Sequence, residues 1–157
     1  MLVAGIGNIF LGDDGFGPEV IRHVPQNLGP GVVVTDYGVR GLHLAYDLLD
    51  PWAALILVDA VPDRGTPGTV HVFETSHEFL SMKVGFDAHA MDPAAVFASL
   101  NALGGTAPPT VVIGCEVGTV EEGIGLSPRV AAAVPVAVEA VGATVTELRT
   151  RTAAGRG

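Results

Sequence analysis

The chain has 157 residues with 17 acidic side chains against 8 Lys and Arg, which gives a formal net charge of −9. This charge repels phosphate backbones and anionic lipid, so it argues against nucleic-acid and membrane-surface partners and favours cations or basic protein surfaces. With 48% hydrophobic residues, the chain is long enough for one domain with a sizeable core, and we do not expect a second full domain. Its single cysteine, Cys115, excludes an internal disulfide and fits a reducing compartment.

The long apolar stretches predict no membrane span. Gly, Asp or Pro interrupts each of them before it reaches the roughly 18 to 20 residues that a spanning helix needs. The N-terminus has no basic leader ahead of its apolar segment, unlike a signal peptide. We therefore expect a soluble, cytoplasmic protein.

Short apolar segments predict the strands. Four of them are continuous and mostly β-branched, which is typical of strands buried on both faces of a mainly parallel sheet; they cover residues 2–6, 32–35, 55–58 and 111–114. A fifth segment, residues 68–74, alternates apolar and polar side chains. This alternation predicts a half-exposed strand at a sheet edge, which we expect to run antiparallel.

Helical patterns lie between the predicted strands, at residues 16–24, 42–49, 93–103 and 128–141. The alternation predicts an α/β fold: a three-layer α/β/α single domain whose twisted sheet is mainly parallel, with one antiparallel edge strand. Pro135 inside the last pattern should kink or split that helix. Beyond it we expect a short strand at 144–148, then a flexible C-terminal tail at 149–157, so the domain spans residues 1–148.

A glycine-rich turn follows the first predicted strand, at residues 5–17. Its opening Gly-x-Gly suggests a dinucleotide site, but Phe10 stands where the third glycine belongs, and Asp13 and Asp14 would repel a pyrophosphate. One alternative is that the two aspartates only satisfy backbone donors at the helix start, as Asp often does. A single cap would not need both.

Two further polar side chains are expected at the same edge of the sheet as Asp14. Asp59 ends a buried strand, where an unpaired charge would be costly, and His89 lies in a polar loop before a helix. Asp14, Asp59 and His89 together would offer oxygen and nitrogen donors suited to a divalent transition metal such as Ni or Zn. The alternatives are a turn-forming Asp59 and an incidental loop histidine.

Other strand ends carry weaker signals. Asp36 and Gly38 follow the second strand, in either a plain connection or a substrate-facing loop. Cys115 at a strand end could be a thiol nucleophile, although a cysteine there more often packs as a small apolar residue. No Gly-x-Ser-x-Gly motif occurs, which argues against a serine hydrolase with that elbow.

Taken in order, these motifs resemble the nickel-iron hydrogenase maturation proteases. The similarity runs through Gly5-Ile6-Gly7-Asn8, residues 12–17, Val58-Asp59-Ala60 and His89, continues at 67–69 and 123–128, and covers about residues 1–142. It implies a phosphorylase/hydrolase-like fold and a cytoplasmic endopeptidase. Members of this family remove a short C-terminal extension from the hydrogenase large-subunit precursor after nickel has been inserted.

The resemblance also implies roles for single residues. The metal-contacting and catalytic positions would be Asp14, Asp59 and His89, the three that the strand-end argument selects. Positions near the family's cleft, offered as substrate contacts, are Asn8, Asp36 and Gly38. The metal would be nickel supplied by the precursor, with no organic cofactor. The expected partner is the nickel-loaded precursor, and we expect a monomer that binds neither nucleic acid nor membrane.

Two departures and two alternatives accompany this resemblance. Tyr37 stands where the family usually has glycine, and Asp87-Ala88 precedes His89 where many members carry a serine two positions before the histidine. Peptidyl-tRNA hydrolases also have Gly-x-Gly-Asn after the first strand, but they expect Asn where this chain has Val24. A non-catalytic metal- or nucleotide-binding module is the third interpretation.

Overall fold

The computed structural model describes residues 1–75 and 93–155, with side chains as far as residue 153. The described residues form five strands: β1 (Leu2–Ile6), β2 (Val33–Gly38), β3 (Leu55–Val61), β4 (Val70–Thr75) and β5 (Thr110–Glu116). They also form four α-helices: α1 (Phe16–His23), α2 (Gly41–Asp47), α3 (Pro93–Ala102) and α4 (Pro128–Gly155). A 3-10 turn at Gly12–Gly15 precedes α1.

The five strands make one sheet in the order β2-β1-β3-β5-β4. The first three pairings are parallel, whereas β4 runs antiparallel to β5 at the edge of the sheet. This is the predicted α/β arrangement, including the antiparallel edge strand. Gly5 pairs with Asp36 on one side and Val58 on the other, so the carboxyl ends of β1, β2 and β3 meet at one edge.

Helices cover both faces of the sheet. On one face, Val3 and Val58 pack in a core with residues of α1 and α4. On the other, Leu2 and Leu57 pack with residues of α2 and α3. The three-layer prediction is therefore confirmed, and alternate residues of each central strand enter opposite cores.

The last helix is longer than predicted. The short strand expected at 144–148 is wrong, because α4 continues without a break through Pro135 and to Gly155. The predicted domain boundary at 148 falls inside this helix. Val141 and Val145 are buried against the sheet, and that burial outweighs the weak helix preference of the threonine-rich end.

By length and composition alone, α4 could also cross a membrane over Pro128–Ala153. The expectation that no segment reaches spanning length is wrong in this respect. This is weak evidence, because a core helix of a globular domain can pass the same test, and Val130, Ala137 and Val141 are buried in the α1–α4 core. The cytoplasmic location stays a prediction.

Candidate functional site at the carboxyl edge of the sheet

The glycine-rich turn is pressed tightly against the sheet. A Cβ on Gly17 would lie 2.3 Å from the Ile6 carbonyl oxygen and 2.5 Å from that of Val58, so the start of α1 sits directly on β1 and β3. Gly7 has φ +144°, and a Cβ there would lie 2.0 Å from the Asp14 carbonyl oxygen. Only glycine at these two positions lets the turn hold Asp14 over the strand ends.

Asp13 is fully buried and tied to a distant loop. Its Oδ2 accepts hydrogen bonds from the amides of Gly118 (2.7 Å) and Thr119 (2.9 Å) and from the hydroxyl of Ser127 (2.8 Å), and Oδ1 accepts the Ser127 amide at 2.7 Å. Burial alone would raise the pKa of the Asp13 carboxyl, but the bonds from Ser127, Thr119 and Gly118 outweigh it and lower that pKa. The alternative in which the aspartates satisfy backbone donors is therefore correct for Asp13.

Asp14 has a different environment from its neighbour. It is only half-buried, and its Oδ2 accepts the Asn8 amide at 2.9 Å. The 3-10 turn that carries Asp14 contacts β3, the strand that contains Asp59. The structure thus separates a buried, structural aspartate from a more accessible one.

Asp59 lies near the carboxyl end of β3 and is 4% exposed. Its Oδ1 accepts the Ala60 amide at 2.8 Å. Leu57 packs in the α2–α3 core, and strand alternation puts Asp59 on that same face. The sequence-based placement of a carboxylate at this sheet edge is confirmed, while its role as a metal ligand stays a prediction.

His89 lies outside the described residues, four positions before α3 begins at Pro93. Gly105, which follows α3, packs against Leu49, which follows α2, on the side from which the strands begin. The start of α3 therefore faces the opposite, carboxyl edge, on the same sheet face as Asp59. Within residues 1–75 and 93–155 no group of three or more His, Cys, Asp or Glu side chains could hold a metal.

The three predicted substrate contacts adjoin one another. The Gly7 amide donates to the Gly38 carbonyl at 3.0 Å, the Gly38 amide donates to Asp36 Oδ1 at 2.8 Å, and Asn8 Oδ1 accepts the Phe10 amide at 2.9 Å. Asp36 is exposed. These contacts place the carboxyl ends of β1 and β2 side by side, but their role toward a substrate stays a prediction.

Tyr37, the departure noted in the sequence, has a structural role. It is 1% exposed, and its hydroxyl donates to Asp47 Oδ2 at 2.6 Å. Burial and the bond to Asp47 raise the pKa of the Tyr37 hydroxyl. The side chain fixes α2 to β2, and because it points into the α2–α3 core, Asp36 points to the opposite face of the sheet.

The thiol-nucleophile interpretation of Cys115 is wrong. The side chain is fully buried in the α1–α4 core, and burial, assisted by the charge of Asp13, raises the pKa of the thiol to about 11. A protonated, inaccessible thiol cannot attack a substrate. It packs as a small apolar residue.

Sequence reasoning missed Glu116, the last residue of β5. It is 2% exposed and accepts bonds from the Arg64 amide (2.8 Å), the Thr66 hydroxyl (2.8 Å) and His71 Nε2 (2.7 Å). The bond from His71, then those from Arg64 and Thr66, lower its pKa to about 2. The signal that singled out Asp59, an acid ending a buried strand, would have found it.

Comparisons with known proteins agree on one family. The hydrogenase maturation protease (HycI) family profile matches residues 18–144. A Methanocaldococcus jannaschii protein assigned to the hydrogenase maturation proteases is 36% identical over 90% of this chain and 93% of its own, and the hydrogenase 2 maturation protease of Escherichia coli is 29% identical over 94% and 91%. The solved structure of the hydrogenase-maturating endopeptidase HybD from E. coli superposes with a TM-score of 0.79 at 28% identity, covering 93% and 91% of the two chains.

Proposed function

Because this chain belongs to the hydrogenase maturation protease family, we propose that it removes the C-terminal extension of a nickel-iron hydrogenase large-subunit precursor once nickel has been inserted. Endopeptidase activity in hydrogenase maturation follows from the family itself. The timing relative to nickel and the removal of a C-terminal extension are what the proposal adds to the family assignment.

The observation that carries the proposal is that the neighbouring side chains of Asp13 and Asp14 have different environments. The Asp13 carboxylate accepts four hydrogen bonds inside the protein. Asp14 is half-buried and lies on a turn that contacts β3. Asp59 lies near the carboxyl end of that strand and is buried. This arrangement supports a functional pair of carboxylates, Asp14 and Asp59, at the carboxyl edge of the sheet, where the precursor would bind.

Nickel in this scheme belongs to the substrate. Asp14 and Asp59 would supply carboxylate oxygens and His89 an imidazole nitrogen, a donor set that divalent nickel accepts. A bound divalent ion can polarise a peptide carbonyl. The chain's own side chains would then hold the adjoining peptide in one orientation, which lowers the entropic cost of the attack, and a carboxylate there can take a proton from water.

The alternatives from the sequence find less support. The peptidyl-tRNA hydrolase interpretation depended on the Gly-x-Gly-Asn after β1, and Val24 stands where that family expects Asn. The family match also names a different activity. A binding module without catalysis is distinguished by whether the precursor is cut.

The test is cleavage of purified large-subunit precursor, with and without nickel, followed by intact mass. We expect loss of the C-terminal extension only from the nickel-loaded precursor. D14N, D59N and H89A should each lower the cleavage rate at least 100-fold while the circular dichroism spectrum is retained. D50N, a substitution of an exposed aspartate on the amino side of the sheet, is the matched control and should cleave normally.

Two results would overturn the proposal. Equal cleavage of nickel-free and nickel-loaded precursor would remove the role of nickel. Normal cleavage by folded D14N and H89A would remove the proposed site, whatever the metal content of the precursor.

A further inference from the structure

A groove of about 890 Å³ lies between α1 and α4 and opens at the candidate site. Gly12 and Gly15, which flank the acidic pair, line one end, and the wall along α4 extends from Ala131 to Glu139. Eight residues of helix span about 12 Å, enough for about four extended residues or two helical turns of a bound segment. The groove is therefore continuous with the site and has the size of a peptide-binding cleft.

The groove is apolar where a partner would first meet it. Ile9 and Ile124, both on its rim, are 48% and 77% exposed. The loops that carry them are joined by backbone hydrogen bonds between Gly12 and Gly123 (2.9 Å) and between Gly123 and Phe10 (2.9 Å). Large side chains held outward on a braced rim are typical of an interaction surface.

A polar acceptor interrupts the apolar wall. Pro135 has no N–H, so it cannot donate to the carbonyl of Ala131 one turn earlier in α4. Both residues line the groove, and both are exposed. A donor on the occupant can bond this carbonyl in place of the N–H that Pro135 lacks.

The charges along the groove have a negative excess. The basic side chain of Arg22 and the imidazole of His23 both contact Glu19, each at 3.1 Å. Asp36 and Glu139 also line the groove. In the described part of the chain neither carboxylate forms an ion pair, and Arg40 donates to the backbone carbonyl of Asp36 rather than to its side chain. The complementary occupant is apolar and carries positive charge.

We propose that this groove docks an apolar, positively charged segment of the precursor, so that the client lies along α1 and α4 while its cleavage point is held at the strand ends. The proposal rests on the proposed function and adds a second contact surface to it. It also gives Asp36, predicted as a substrate contact, a place on the docking face, opposite the sheet face of Asp59.

Four variants test the groove. I124E puts a charge on the exposed rim and E139K reverses the charge of the wall, and neither side chain is buried. Their matched controls are V136E, on an exposed position of α4 that does not line the groove, and D50K, which makes the same charge change on the amino side of the sheet. Two quantities are measured: KM and kcat for nickel-loaded precursor, and the Kd of that precursor for each variant in a D14N background.

We expect I124E and E139K to raise KM and Kd at least tenfold with kcat within twofold, and the controls to stay within twofold of the parent. Groove variants that behave like their controls, in an enzyme that cleaves the precursor, would overturn the docking proposal and leave the proposed function standing. A parent protein that neither binds nor cleaves the precursor would overturn both. A dimer in light scattering that I124E alone dissociates would assign the groove to a second copy of this chain and refute the proposal.

Discussion

Replacing Asp13 with Asn should destabilise the fold, whereas the same change at Asp14 should leave stability intact and abolish processing. An Asn keeps one oxygen, so three of the four hydrogen bonds that Asp13 accepts would become neutral and the Ser127 amide would face an NH₂ group. A hydrogen bond to a charged group contributes about 1 kcal/mol more than a neutral one, and an orphaned buried donor costs about 1 to 3 kcal/mol. Because Asn avoids the cost of burying a charge, we expect a net loss of about 2 to 4 kcal/mol.

Differential scanning calorimetry measures this loss. At roughly 2 to 4 °C per kcal/mol for a domain of this size, D13N should melt roughly 4 to 16 °C below the parent at pH 7, and D14N within about 2 °C of it. Because the pKa of Asp13 is lowered from 3.8, its contribution is present above that value and is lost as the pH falls through the lower, folded pKa. The gap between parent and D13N should therefore narrow in acid.

The reasoning would be refuted by D13N melting within about 2 °C of the parent, or by D14N showing the larger loss. It would also fail if the difference in melting temperature between parent and D13N stayed constant from pH 7 to pH 2. Each of these three outcomes would mean that the Asp13 hydrogen bonds do not hold the loop as the structure indicates.

Three further predictions concern other parts of the molecule. G7A should lower the cleavage rate at least tenfold, because its Cβ would lie 2.0 Å from the Asp14 carbonyl oxygen. The control G31A, also at positive φ but with open space around it, should cleave normally. Equal cleavage rates of the two variants would contradict the steric argument. The pKa of Glu116 is about 2 rather than 4.5, so the ionised carboxylate stabilises the fold above pH 4.5, and this contribution is lost as the pH falls through about 2. The difference in urea midpoint between the parent and E116Q should therefore be constant above pH 4.5 and close between pH 4.5 and about 2. Because Cys115 is buried and its pKa is raised to about 11, the native protein should resist labelling by a thiol reagent at pH 7.5. C115A should keep full cleavage activity. Rapid labelling of Cys115 would show that the core opens.

The central strands could be predicted because burial on both faces leaves an uninterrupted apolar signal. β1 begins and ends as expected. β3 and β5 extend beyond their apolar runs, to Val61 and Glu116, because strand pairing continues where acids occupy the site edge. The predicted β3 ends just before Asp59, the first charged residue, whereas the backbone pairing with β5 continues past it.

The end of α4 could not be predicted for a different reason. Threonines favour strands in isolation, yet here the hydroxyls of Thr146, Thr150 and Thr152 donate to the carbonyls of Gly142, Thr146 and Leu148, four residues earlier. Local preference is overridden once the helix has a core to pack against. The different roles of Asp13 and Asp14 were equally hidden, because the partners of Asp13 lie more than 100 positions away.

The last turns of α4 contact both the segment before β2 and the edge strand β4. Arg149 donates to the Pro30 carbonyl at 2.8 Å and stacks beside Gly29, while Arg151 pairs with Glu74 of the edge strand and with Glu147. A truncation at residue 148 would remove these contacts, which would expose the segment before β2 and the edge strand β4 to proteolysis.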